Sequence, residues 1–219
     1  KSLLDLGCGT GKHAEMLCEN DYIVHGIDLS EDMLKVAKSR INNKEDKLSF
    51  SHSKIQDLNL NKKFDTVVSL FHVMSYQNNN KDLIKAFEVA KEHLKSGGIF
   101  IFDFWYGPAV LKDPPFTRIK RLLNEKIKVT RIAEPMTNAK KNIVDVNYDI
   151  FIEEIVSKKI IEKKEIHKMR YFFDDELYMI CKKIGFSIRK FFKLQYSEIK
   201  FDLIKQGNTL SSNPIANPI

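Results

Sequence analysis

Apolar positions along the first half of the chain alternate between short runs and amphipathic stretches. Leu3, Leu4 and Leu6 form a run broken only by Asp5, and glycines follow at alternate positions, Gly7, Gly9 and Gly11. A buried strand ending in a tight backbone turn has this pattern. Residues 12–20 place Ala14, Leu17 and Cys18 at helical spacing, so the glycine loop opens a helix. Residues 22–27 form a second short run, and Ser30 or Asp28 is placed to cap a helix continuing through 32–37. Residues 48–51 and 64–70 predict strands three and four, the fourth apolar enough for burial on both faces. An amphipathic helix is predicted over 82–94, stopped by Gly97 and Gly98, and a fifth strand over 99–103.

The pattern changes after Pro108. Residues 126–134, 142–155 and 160–172 are β-rich and alternating, separated by turn-like segments at 135–139 and 157–159. Three or more antiparallel strands inserted after strand five are expected, placed to cover the mouth of a site. Asp174 should cap a helix over 176–184 that Gly185 stops. A strand over 186–194 and a last antiparallel strand over 198–204 follow. The tail over 207–219, rich in Asn, Ser and Pro, reads as disordered. The fold class is therefore α/β: a Rossmann-like doubly wound sheet with an inserted antiparallel β cover. The expected division is a ligand-binding core over 1–112, the cover over 113–172, a return to the core over 173–206, and the tail. The chain starts at Lys1, already inside the first strand, and an N-terminally truncated sequence is the expectation.

A strand, a glycine loop and a helix N-terminus suit a nucleotide-type ligand, because glycines let backbone N–H groups approach it. The dinucleotide fingerprint would require a glycine where Lys12 stands. Asp5 would also repel a pyrophosphate, whereas it suits a ligand with a cationic end. Asp28, at the end of the second strand, can accept two hydrogen bonds from ribose hydroxyls. Asp5-Leu-Gly-Cys-Gly-Thr-Gly11 resembles motif I of the class I S-adenosylmethionine-dependent methyltransferases. That resemblance implies S-adenosylmethionine as cofactor, held by Asp5, Gly7, Cys8, Gly9, Gly11, Asp28, Leu29, Met33, Ile55 and Leu70. It also implies an acid after strand three for the adenine amino group. Lys54 stands there instead, so either Asp57 reaches in or backbone near Ile55 serves.

Within that family, Lys63 to Phe71 with Tyr76, Leu94 to Gly98, Asp103 to Pro108 and Glu165 to Phe172 resemble enzymes that N,N-dimethylate nucleotide-linked amino sugars. The resemblance implies methyl transfer by in-line displacement to an amine or hydroxyl of a small anionic molecule, a sugar nucleotide. A hydroxyl acceptor would want a general base, for which His72 and His167 are the candidates. Tyr76, Trp105, Tyr106 and Arg170 are candidate substrate contacts, although His167 and Arg170 should fall on opposite faces of one strand.

Charge sharpens this reading. Residues 1–111 carry 14 basic and 15 acidic side chains, whereas 112–219 carry 22 and 14. A basic second half suits an anionic substrate, or is a solvated lysine-rich surface. A nucleic-acid methyltransferase is a weaker alternative, since Ser69-Leu-Phe-His72 lacks the Pro-Pro motif of base methylation. A non-catalytic S-adenosylmethionine-binding protein is another. Cys8, Cys18 and Cys181 show no metal-ligand spacing, so no metal and a reducing cytoplasm are expected. No membrane association is expected, and a homodimer is possible.

Overall fold

The computed structural model describes residues 1–193 and 199–205; the tail over 207–219, read as disordered, lies outside the described residues. The core sheet starts with β1 (Ser2–Leu6), β2 (Ile23–Asp28), β3 (Leu48–His52) and β4 (Phe64–Ser69). β1 pairs in parallel with both β2 and β4, and β2 with β3. Successive side chains of a strand point to opposite faces, and here both faces are covered. Leu3, Val24, Leu48 and Val68 pack with Ala14 and Cys18 of α1 (Lys12–Glu19) and Leu34 and Ala37 of α2 (Glu31–Lys38). Leu4, Leu6 and Val67 pack on the other face with Leu83, Ala86 and Phe87 of α3 (Asn80–Glu92). The sheet is doubly wound, as expected.

β5 (Leu94–Tyr106) carries Phe100, Phe102 and Phe104 into that second core, where Phe87 meets Phe100 and Phe102 edge-on at 5.4 and 5.0 Å. Such pairs contribute about 0.5–1.5 kcal/mol each beyond area burial. β5 begins earlier than the pattern predicted. α3 ends at Glu92, and Gly97 and Gly98 lie inside the strand rather than stopping the helix. Phe64 pairs with Leu94 but Thr66 with Ile99, so residues 95–98 bulge out of the ladder. Gly97 has φ +74°, and a Cβ on Gly98 would lie 2.9 Å from the Lys95 carbonyl oxygen. The same glycines that suit a helix stop serve a bulge.

After α4 (Gly107–Lys112) come four cover strands: β6 (Arg118–Leu123), β7 (Ile127–Asn138), β8 (Ile143–Glu154) and β9 (Ile160–Phe172). They pair antiparallel in sequence order. The segment over 135–139, read as a turn, belongs to β7 through Asn138, because its pairing with β8 continues to Asn138 and Ile143. The cover joins the core sheet where β9 runs parallel to β5, Trp105 against Tyr171 and Tyr106 against Phe172. α5 (Asp174–Ile184) returns the chain to the core. Its N-cap is Phe173, with no side-chain cap hydrogen bond, and Asp174 is the first helical residue, so Asp174 does not hold the cap position expected of it. β10 (Ser187–Lys193) and β11 (Ile199–Lys205) pair antiparallel, and β11 pairs antiparallel with β5. Leu194 and Glu198, read as strand ends, lie outside the described residues. No helix among the described residues is long and apolar enough to cross a membrane.

Candidate active site

The ends of β1, β2, β4 and β5 meet at one edge of the core, where open α/β sheets bind ligands. Gly7, Gly9 and Gly11 all have positive φ, at +83°, +54° and +71°. A Cβ on Gly7 would lie 2.6 Å from Val73, and one on Gly11 2.7 Å from Phe50, whereas one on Gly9 would meet nothing within 4 Å. The outer glycines are thus closed in by packing and the middle one opens outward. The Gly9 N–H donates to Asp28 Oδ2 at 2.7 Å, and the Ser30 N–H to Oδ1 at 2.8 Å. Asp28 therefore ties the loop to the start of α2, whose Ser30 cap accepts from the Met33 N–H.

Asp5 lies behind the loop at 2% exposure. Burial, and secondly the charge of Asp28, push its carboxyl up to about 7. Two acids held this close favour a cation beside them. Burial, with Asp5 and Asp28 next, raises the Cys8 thiol, so Cys8 is not a thiolate nucleophile. Leu29, Met33 and Phe71 are 60%, 46% and 70% exposed and are not core residues. Leu70 is half-buried against the α1–α2 core. Ile55 lies in the opposite core, and Lys54 is the extended residue before a short 3-10 turn over Ile55–Asp57. Asp57 lines a separate cleft with Lys85 and His93.

Phe71 and His72 follow β4 with φ +64° and +63°. Two consecutive non-glycine residues in this region cost of order 1–3 kcal/mol each. Asp103 holds the second: its Oδ1 accepts the His72 N–H at 2.8 Å, and its Oδ2 lies 3.4 Å from His72 Nδ1. That separation is within ion-pair range, and Nδ1 has no hydrogen-bond partner among the described residues. Burial lowers the His72 imidazole despite the opposing charge of Asp103, and burial raises the Asp103 carboxyl. Trp105 stands edge-on to His72 at 6.3 Å, and its backbone N–H donates to Ser75 Oγ.

His72, Phe104, Trp105, Tyr106, Arg131 and Tyr148 line a cavity of about 550 Å³ between the core edge and the cover. Tyr76 ends the 3-10 turn Val73–Tyr76, and its Oη lies 2.6 Å from His167 Nδ1. His167 Nε2 in turn lies 3.2 Å from Glu165. Both ring nitrogens of His167 are thus engaged, Nδ1 in a core-to-cover contact with Tyr76 and Nε2 with Glu165 of its own strand. Arg170 falls on the other face of β9, as expected. It is not open to a substrate, because its guanidinium is buried against Glu176 and bonded to Asn80. Reading Arg170 as a substrate contact is therefore corrected: it ties β9 to α5 and α3.

Residues 3–98 match the family model described as a methyltransferase domain. Over 112 residues the chain is 34% identical to a dTDP-3-amino-3,4,6-trideoxy-alpha-D-glucopyranose N,N-dimethyltransferase of Streptomyces venezuelae, covering 51% of this chain and 46% of that one. It is 25% identical over 187 residues to a dTDP-3-amino-3,6-dideoxy-alpha-D-glucopyranose N,N-dimethyltransferase of Streptomyces fradiae, covering 85% and 70%. The matched stretch spans under half the length of the first of these relatives. A solved S-adenosylmethionine-dependent methyltransferase from Clostridium acetobutylicum superposes with TM-score 0.80 at 24% identity, over 94% of this chain and 84% of that one. Streptomyces venezuelae DesVI superposes with TM-score 0.79 at 22% identity, over 95% and 84%. The fold of these solved structures thus extends through residues 3–98 and the cover.

Asp103 was visible in the sequence only as a strand end. Its role depends on β4 lying beside β5, with Ser69 against Phe102, which brings the next residues of both strands together. Arg131 and Tyr148 were equally unmarked, because only the register of the cover strands turns them to the cavity.

Proposed function

We propose that this chain transfers a methyl group from S-adenosylmethionine to an amine or hydroxyl of a small anionic molecule, a nucleotide-linked sugar. The observation that carries the reading is a glycine loop that opens at Gly9, where Val73 packs on Gly7 and its neighbour His72 lines the cavity. The residues fit the cofactor. Gly9 leaves space for it, Asp28 is a two-oxygen acceptor at the strand end, and the exposed Leu29 and Met33 flank that side. Asp5 behind the loop favours a cationic end. Bound there, S-adenosylmethionine supplies a methyl group on a sulfonium, ready for in-line displacement. The names of the aligned relatives support an amino-sugar acceptor. A cavity of about 550 Å³ is of the size that encloses a small molecule.

The chain's own residues then have distinct tasks. Holding acceptor and donor in line accounts for much of such an acceleration, ~7–11 kcal/mol in oriented intramolecular reactions. His72, kept neutral by burial, keeps an Nε2 lone pair when Nδ1–H faces Asp103, and so can take a proton from the acceptor. Trp105 and Tyr106 wall the cavity, and the cover keeps water out. Cys8 and Cys18 are buried thiols outside any disulfide, which suits a reducing compartment, the cytoplasm. The test is incubation of the chain with S-adenosylmethionine and a panel of nucleotide-linked amino and neutral sugars, read by mass spectrometry. Mass gain in steps of one methyl on an amino sugar supports the reading. Transfer to RNA alone, or no binding of S-adenosylmethionine, would overturn it.

A further inference from the structure

One short turn carries both His72 and a hydrogen bond that reaches the cover. The 3-10 turn Val73–Tyr76 has His72 as its N-cap and Tyr76 as its last residue. It is fixed to the core from inside. Met74 and Ser75 are fully buried, and Ser75 Oγ accepts the Trp105 backbone N–H at 2.9 Å. Tyr76 Oη lies 2.6 Å from His167 Nδ1 on β9. Burial, and then Tyr148 and Glu165, raise the Tyr76 hydroxyl. It therefore stays protonated and donates, and Nδ1 accepts. The ring proton then sits on Nε2, 3.2 Å from Glu165 Oε2. Tyr148 meets the His167 ring edge-on at 5.0 Å, and the Arg131 guanidinium lies over the Tyr148 ring. Tyr148 lines the cavity, whereas Tyr76 and His167 are not among its lining residues.

The place of this contact along β9 matters. β9 pairs with β5 only at Tyr171 and Phe172, and Arg170 fastens the same end to Asn80 and Glu176. Further out, Lys164 pairs with Asp149 and Glu162 of the cover itself. Between them stands His167, about 13 Å along the strand from Tyr171 at ~3.3 Å per residue. Among the described residues, Tyr76–His167 is the outermost hydrogen bond from β9 to the core. We infer that Tyr76 and His167 are positioning residues: they clasp the cover to the core and so fix the width of the cavity between His72 and Trp105 on one wall and Tyr148 on the other. Because His72 and Tyr76 share one turn, the distance from the base to the cover wall is set by a single rigid element. The clasp itself rests on geometry; its consequence, placement of the methyl acceptor, rests on the methyl-transfer reading. In-line displacement depends on such placement.

Amide hydrogen exchange on the unliganded chain tests the clasp. Tyr76→Phe should speed exchange over 144–152 and 161–168 roughly two- to tenfold, the loss of one ordinary hydrogen bond. Exchange in β1 and β4 should not change, since only the cover is released. His167→Ala should act alike, and adding Tyr76→Phe to it should change nothing further, because the pair is already broken. His167→Asn places an amide oxygen where Nδ1 stands and should restore most of the protection. Unchanged exchange in Tyr76→Phe would overturn the clasp. So would additive effects in the double variant, or His167→Asn no better protected than His167→Ala. S-adenosylmethionine affinity, measured by calorimetry, should be equal in all these variants. For the acceptor found in the sugar panel, kcat/KM should fall at least about twofold in Tyr76→Phe. No S-adenosylmethionine binding by the unmodified chain sinks methyl transfer and leaves the clasp standing. Faster exchange with an unchanged acceptor kcat/KM sinks the positioning role alone.

Discussion

Replacing Asp5 by Asn should stabilise the protein and weaken it as a binder of cationic ligands, and both effects should depend on pH. Asp5 is buried behind the glycine loop, and its carboxyl is pushed from an ordinary 3.8 to about 7 by burial and by Asp28. Because the folded state holds this proton more tightly than the unfolded chain, stability is highest below pH ~4. It falls as pH rises, until the loss levels off above about 7. At about 1.4 kcal/mol per pH unit, the interval amounts to ~4 kcal/mol. Asn cannot ionise, so Asp5→Asn should match the parent near pH 4 and exceed it by up to ~4 kcal/mol at pH 8. Urea denaturation at several pH values measures the gap. In the parent, affinity for S-adenosylmethionine should rise with pH through about 7, because a cation binds the ionised carboxylate better. In Asp5→Asn that dependence should be lost. A stability gap that does not widen between pH 4 and 8 would refute the argument, and would mean that Asp5 ionises in the fold as readily as in water.

Asp28→Ala removes the acceptor of the Gly9 and Ser30 N–H groups. At ~1.5–3 kcal/mol for a charge-assisted bond, it should weaken S-adenosylmethionine ~10–10²-fold by calorimetry; unchanged affinity would remove Asp28 from the cofactor site. His72→Gln should lower turnover ~10²–10⁴-fold if a hydroxyl is methylated, and a small effect would assign the acceptor as an amine that needs no base. The acidic limb of kcat/KM should lie below 6.5 because burial lowers His72. Asp103→Asn should move that limb lower still, since it removes the charge that opposes this lowering; an upward move would contradict the pairing. Gly11→Ala places a Cβ 2.7 Å from Phe50 at φ +71°, which should cost about 3 kcal/mol and lower Tm by several degrees, whereas Gly9→Ala should cost less stability and more cofactor affinity.

The sequence made the core legible because its determinants are local. Alternate glycines at 7, 9 and 11 permit the positive φ a tight loop needs, and the runs at 3–6 and 64–70 need burial on both faces. Where the structure departed, one residue type served two geometries. Gly97 and Gly98 were equally suited to ending α3 and to bulging β5, and only the pairing of Thr66 with Ile99 decides between them. Pro135 and Asn138 marked a turn, yet β7 runs through both because β8 supplies partners up to Asn138. β6 was missed for a related reason: Arg118-Ile-Lys-Arg-Leu-Leu123 is short and half charged, and it becomes a strand only against β7.

The site divides along the same line. Residues whose roles depend on position within one element, such as Asp5 and Asp28, could be named from the chain alone. Residues whose roles depend on which strand lies beside which could not. Asp103 matters because β5 neighbours β4, and Arg131 because the register of the cover strands turns it to the cavity. Arg170 shows the converse error: its chemistry fits a diphosphate, but Glu176 and Asn80 already occupy its guanidinium. A cation becomes a candidate ligand contact only when the fold leaves it without a counter-charge. By that criterion the cover strands, and not the end of β9, are where an anionic substrate should be sought.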